Sequence, residues 1–213
     1  MYRNTTIPQS ASLTAPFTQG GLIIGITGGT GCGKTTLLNV IAEKGGLILD
    51  CDAIYHQLLT RDDSLLNAIC QRFPGTVEDG QLQRKKLGSI VFADKTALED
   101  LNKITHGAVK AEVLRQLETR PSLAAIDAIA LFEGGLAQLC DTTVAVTAPV
   151  EIRVQRLMQR DNISEDYARS RIAAQHEESW FRDRCDCILE NIGTQVQFRE
   201  KCVAFLENLG IMD

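Results

Sequence analysis

No apolar run in the chain approaches the roughly eighteen residues that a helix needs to cross a bilayer. The opening segment, Met1 to Gly20, is rich in Ser, Thr, Gln and Pro and has no hydrophobic stretch of signal-peptide length, so it reads as a flexible tail. There is no basic surplus either: 22 Lys and Arg against 27 Asp and Glu give a net charge of −5, which argues against a protein whose main task is to hold nucleic acid. Cysteine is present, 7 in all, but the number is odd and no export signal accompanies it, so reduced thiols are expected rather than a disulfide scaffold. Cys185 and Cys187 lack the second Cys pair or His-containing partner that a zinc site requires. These absences point to a cytoplasmic protein without membrane or nucleic-acid partners.

What is present fits a single α/β domain with additions. The chain has 213 residues, 44% of them hydrophobic, enough to bury a sizeable core. Gly21 to Thr27 is a short apolar run bounded by glycines, expected as a buried strand. A helix over about Gly33–Lys44 stops at Gly45-Gly46, and Leu47–Asp50 makes a second strand. That β-loop-α-β opening predicts a parallel sheet.

From Ala53 to about Thr119 the pattern predicts three or four helices, broken at Phe73-Pro74-Gly75 and turning at Asp79-Gly80. Leu123–Leu131, Thr142–Thr147 and Cys187–Leu189 are the remaining expected strands. A helix starts at Ala148-Pro149 with Pro at its first position, another runs from an N-cap at Ser164 to about Gln175, and a last one opens on a Thr194–Gln197 capping box. Phe198, Cys202, Phe205, Leu206 and Leu209 form the buried side of that last helix.

Gly28-Gly-Thr-Gly-Cys-Gly33-Lys34-Thr35 matches G-x-x-x-x-G-K-[ST] throughout, between an apolar strand and a helix as the motif demands. Glycines let successive backbone N–H groups turn inward at a helix N-terminus and cradle anionic oxygens. Lys34 reaches the β- and γ-phosphates, and the Thr35 hydroxyl joins a Mg²⁺ shell. ATP with Mg²⁺ is the expected ligand. The helix N-terminus and Lys34 are also expected to lower the Cys32 thiol pKa and make it reactive.

Two missing motifs narrow the class. The one Asn-Lys, Asn102-Lys-Ile-Thr105, lacks the Asp of a guanine-reading Asn-Lys-x-Asp, and no Leu-Ser-Gly-Gly-Gln appears. A metabolite kinase is the better reading. Asp50 and Asp52 lie at i and i+2 at the end of the second strand, where an extended backbone puts them on one face beside the loop. Each is open between a helix cap and a carboxylate that accepts a proton from an attacking hydroxyl. Asp127 interrupts an apolar strand and Glu133 follows it, open between a metal-shell role and a hydrogen-bonded structural one. Arg153, Arg156 and Arg160 fall on one helical stripe, either a solvated face or a lid that closes over the nucleotide.

With these pieces in place the sequence closely resembles the dephospho-CoA kinases. The resemblance rests on Ile24–Thr35, on Leu49-Asp-Cys-Asp-Ala-Ile-Tyr-His56, on Leu82-Gln-Arg84 and Thr105-His106, on Leu131-Phe-Glu-Gly-Gly-Leu136, on Arg156-Leu-Met-Gln-Arg160-Asp161, on Arg171-Ile-Ala-Ala-Gln175 and on Asn191-Ile-Gly193. It implies a P-loop kinase-type fold: a parallel five-stranded sheet flanked by helices, built from residues 21–52, 120–150 and 185–213. A helical CoA-binding part would cover 53–119 and a helical lid 151–184. It implies phosphorylation of the ribose 3′-hydroxyl of dephospho-CoA.

By position, the resemblance implies Asp52 as base, with Lys34 and Arg160 on the phosphoryl oxygens. Gly29, Thr30, Gly31, Cys32, Gly33, Thr35, Thr36, Arg156 and Asn191 would bind ATP. Asp52, Arg84, His106 and Glu133 would bind the acceptor; Thr35, from the loop motif, and Asp127, from its place in the strand, are the expected Mg²⁺ ligands. The rivals are a related nucleoside or nucleotide kinase, and a regulatory ATPase that releases ADP without a small-molecule acceptor.

Overall fold

Residues 21–61 and 63–212 are described in the computed structural model; the tail expected over 1–20 lies outside the described residues. The glycine-bounded apolar run forms β1 (Leu22–Thr27), the middle strand of a five-stranded sheet. Its two faces are both covered, which is why no polar alternation marks it. Ile24 and Ile26 face α1 (Lys34–Glu43), and Ile23 faces the opposite core.

β2 (Leu47–Asp50) follows α1 but does not pair with β1. The helices α2 (Cys51–Arg61) and α3 (Asp63–Arg72) come next. A two-stranded hairpin, β3 (Val77–Glu78) and β4 (Gln81–Leu82), turns at Asp79-Gly80. Then α4 (Arg84–Val91) and the long α5 (Lys95–Leu117) lead back to the sheet. This segment has its own core, with Leu65, Ile69, Phe73 and Leu87 buried together.

β5 (Leu123–Asp127) enters between β2 and β1. β6 (Thr142–Thr147) and β7 (Cys187–Glu190) extend the other side, giving the order β2-β5-β1-β6-β7 with every neighbour parallel. The chain therefore leaves β1 in one direction first and the other later. In an open parallel sheet ligands bind at the carboxyl end of such a reversal.

Between β6 and β7 lie α6 (Val150–Asp161), α7 (Glu165–Ala173) and α8 (Glu178–Arg182). α6 and α7 pack through Val154, Leu157, Ala168 and Ile172. The last helix, α9 (Gln195–Asn208), has both halves of the expected capping box and buries Phe198, Cys202, Phe205 and Leu206 against α1; Leu209 is only partly buried. Fully burying side chains of this size contributes about 1.5–3 kcal/mol each. Among the described residues no helix is long and apolar enough to cross a membrane.

Three expectations are corrected. The third strand stops at Asp127, not Leu131, because Ala128 and Leu131 are buried by a turn that packs them into the core beside Ile126. Pro149 is the N-cap of α6 and Val150 its first residue. The third concerns Asp50 and Asp52: α2 begins at Cys51, so the two aspartates do not share a face of an extended strand. Asp50 ends β2, and its Oδ1 accepts from Ala53 N–H at 3.0 Å, capping the helix that carries Asp52.

Candidate active site

The loop between β1 and α1 is held open by left-handed backbone. Gly31 and Gly33 have φ of 77° and 98°, which disfavours any side chain there. At Gly33 a Cβ would also stand 2.3 Å from Asn191 Nδ2. Lys34 Nζ donates to Gly28 O across the loop at 3.0 Å, so its ammonium lies over the cradle.

The outer wall of the loop comes from Arg153 and Arg156 of α6, from Gln175 after α7 and from Asn191 after β7; Arg156 and Asn191 stand in the expected ATP set. Arg153 is buried, and its Nε donates to Thr30 O at 2.9 Å while an Nη2–H goes to Gln175 Oε1 at 2.9 Å. The same Gln175 oxygen accepts from Thr30 N–H at 2.8 Å. Arg156 donates to Gly31 O and Cys32 O, and to Asn191 Oδ1 at 3.1 Å; Asn191 Nδ2 donates to Cys32 O at 2.9 Å.

Arg153 and Gln175 were absent from the expected ATP set. Arg153 stood in the stripe, and its place one turn before Arg156, at the loop end of α6, was the available signal. Arg160 is not brought to the loop: both its recorded bonds go to Asp161, which also accepts from Arg171, and its side chain is 59% exposed.

Cys32 runs against expectation. It is buried, and burial pushes its thiol above the usual range, with the Arg153 and Lys34 charges only partly offsetting this. A neutral, enclosed thiol results.

Carboxylates gather at the ends of the two strands beside the loop. Asp50 and Asp127 are register partners across β2 and β5. Burial raises the Asp127 carboxyl to about 6, with Lys34 pulling it down and the charges of Asp50 and Asp52 pushing it up. Its Oδ1 is buried with no hydrogen-bond partner, the one such side-chain atom among the described residues. A buried oxygen left in that state is costly unless something else answers it.

The described residues contain no cluster of three or more His, Cys, Asp or Glu suited to a metal. The candidate donors are the Asp127 carboxylate, with Asp50 and Asp52 near enough to act on its charge, and the Thr35 hydroxyl in the first turn of α1. That set fits Mg²⁺, which keeps waters and takes substrate phosphate oxygens rather than a full protein cage.

Asp52, on the first turn of α2, is exposed and lines a cleft of about 300 Å³. α2 and α5 form one side, through Tyr55, Thr105, His106 and Val109, and the turn after β5 forms the other, through Ala128, Ala130 and Gly134. His106 is thus in the cleft as expected. Arg84 and Glu133 stand outside its lining: Arg84 Nη2 lies 3.2 Å from His56 Nδ1, and Glu133 Oε1 lies 2.7 Å from His176 Nε2. Asp52 therefore links the cleft to the carboxylates: it lines the cleft, and its charge acts on Asp127, which also feels Lys34.

The model of the dephospho-CoA kinase family matches residues 22–197. A dephospho-CoA kinase of Moorella thermoacetica is 38% identical over 164 residues, covering 74% of this chain and 77% of that protein. A crystal structure of a Thermus thermophilus protein superposes with a TM-score of 0.75 at 31% identity, covering 90% of this chain and 99% of the other. The solved dephospho-CoA kinase of Campylobacter jejuni gives a TM-score of 0.62 at 26% identity, covering 89% and 98%.

Proposed function

This chain belongs to the dephospho-CoA kinase family, and from that premise we propose how its own residues carry the family's reaction. The reaction moves the γ-phosphoryl group of ATP to the ribose 3′-hydroxyl of dephospho-CoA, giving ADP and CoA, the last step of CoA biosynthesis. The segment 53–119 serves as the acceptor-binding part and 151–184 as the lid.

In this reading the loop N–H groups from Gly29 to Thr36 hold the ATP phosphates, with Lys34 on the β- and γ-oxygens. Arg156 and Asn191 set the outer wall of the loop. Mg²⁺ would be held by the Thr35 hydroxyl and the Asp127 carboxylate, and would neutralise phosphate charge. Asp52 takes the proton of the 3′-hydroxyl as that oxygen bonds to the γ-phosphorus, and the bond to the β–γ bridging oxygen breaks to release ADP. His106 lies along the acceptor in the cleft, with Arg84 and Glu133 at its margins. Arg160 joins the transferring group after leaving Asp161, a small cost because exposed ion pairs are weak. The lid keeps water out, so ATP is not simply hydrolysed. All seven cysteines are free, which suits a reducing compartment, and a cytoplasmic location goes with the reading.

The position of Asp52 carries this proposal: it lines the cleft and also bears on the electrostatics of Asp127 beside the loop. Asp52→Asn is expected to lower kcat by about 10²–10⁴-fold, the range for a lost general base, while the affinity for an ATP analogue stays within about twofold. A kcat close to wild type would remove Asp52 from the role.

A further inference from the structure

Gln175 and His176 are consecutive, in the short connection between α7 and α8, and they reach in two directions. Gln175 Oε1 accepts from Thr30 N–H at 2.8 Å and from Arg153 at 2.9 Å, so it is fastened to the nucleotide loop. His176 Nε2 lies 2.7 Å from Glu133 Oε1, in the turn whose Ala128, Ala130 and Gly134 wall the cleft. Nothing in the proposed transfer step uses His176.

Its ring is held firmly for a side chain that is 46% exposed. It stacks on Trp180 at 3.8 Å between centroids and 1° between planes. The Arg184 guanidinium sits 4.4 Å from the Trp180 ring centroid. Trp180 also meets Phe132, the neighbour of Glu133, edge-on at 5.5 Å. The contact between this connection and the turn is therefore double, one polar and one aromatic. Aromatic pairs in such geometry add stability beyond the area they bury.

We propose that Gln175-His176 is a strut that couples the two substrate sites, with His176 as a positioning residue that sets Glu133 at the margin of the acceptor cleft. A shift of the loop on binding nucleotide moves Gln175. Because the next residue is hydrogen-bonded to Glu133 and braced on Trp180, the cleft wall moves with it. Coupling of this kind is reciprocal: acceptor in the cleft favours the same loop position that nucleotide does. The inference rests on dephospho-CoA as the acceptor.

Trp180 is the only tryptophan in the chain, so its emission reports directly on the strut. The test is to titrate dephospho-CoA into the full chain, with and without saturating Mg·AMPPNP, following Trp180 emission and, in parallel, heat of binding. In the wild type, Mg·AMPPNP is expected to tighten dephospho-CoA binding by about fivefold, the low end of ordinary coupling. In His176→Phe, which keeps a ring on Trp180 but cannot bond Glu133, the ratio is expected to fall to about one. Glu133→Leu cuts the same bond from the other side and serves if the first variant does not fold. His176→Gln, which restores a polar partner, is expected to recover part of the ratio; a purely structural role would follow the folded fraction and not the ratio.

The same ratio in wild type and His176→Phe overturns the strut and leaves the acceptor untouched. Coupling absent from the wild type overturns it too. No binding of dephospho-CoA to the wild type, with Mg·AMPPNP still bound, overturns the acceptor reading and this inference with it.

Discussion

An aspartate at the inner end of a parallel strand is costly unless something answers its charge. Asp127 was visible in the sequence because it breaks an otherwise apolar run, and its unpartnered buried oxygen is the form that break takes in the fold. Its pKa of about 6 exceeds the value of about 3.9 for an unfolded chain. Between those values the folded protein keeps a proton that the unfolded chain has lost, so stability is full below pH about 4 and falls as pH rises through about 6. In EDTA, without nucleotide, Asp127→Asn should flatten this part of the Tm–pH curve; an unchanged slope would contradict the assigned burial. Cys32 shows what sequence position cannot give. Its place beside Lys34 argues for a reactive thiol, but the packing that buries it depends on residues far along the chain. In the ATP-free protein iodoacetamide should label Cys32 no faster than the partly exposed Cys70, and preferential labelling of Cys32 would overturn this.

At the scale of elements, α6 divides by position. Its first turn carries a buried arginine fastened to the loop, and its last turn an exposed one paired with Asp161. Arg153→Ala strands Thr30 O and removes a donor to Gln175, so Tm should fall by about 2–12 °C, as expected for about 1–3 kcal/mol in a chain this long. Arg160→Ala should leave Tm nearly unchanged and lower kcat by about 10²-fold, if the lid brings that charge to the transferring group. Calorimetry beside steady-state kinetics checks both, and the reverse pattern would reassign the two residues. The stripe itself was legible from spacing; which end is buried was not, because that depends on where α7 and the loop lie. The capping boundaries were legible at Ser164 and Thr194, whose hydroxyls accept the backbone N–H groups expected of them. The start of α2 was misread, because a strand-face argument for Asp50 and Asp52 assumes that the strand continues, whereas Asp50 is itself the residue that starts the helix.

For the whole molecule, the β-loop-α-β opening and five apolar runs were sufficient to give the parallel sheet, since the three inner runs are buried on both faces and marked by their lack of alternation, while the edge runs β2 and β7 are partly buried. The strand order was not legible from those runs, and neither was the small hairpin over Val77–Leu82, whose strands are 2 residues each and leave no periodicity to read. The place of Asp52, in the cleft lining and within electrostatic reach of Asp127, is a property of the assembled fold, and it carries the functional argument. The most direct test is ADP release with Mg·ATP against dephospho-CoA, AMP, uridine, pantothenate and no acceptor, with product mass measured in each case. The account predicts ADP with dephospho-CoA alone, in step with CoA. Equal ADP without acceptor would mean an ATPase, and turnover of another acceptor in place of dephospho-CoA would contradict the assigned reaction while leaving the fold intact.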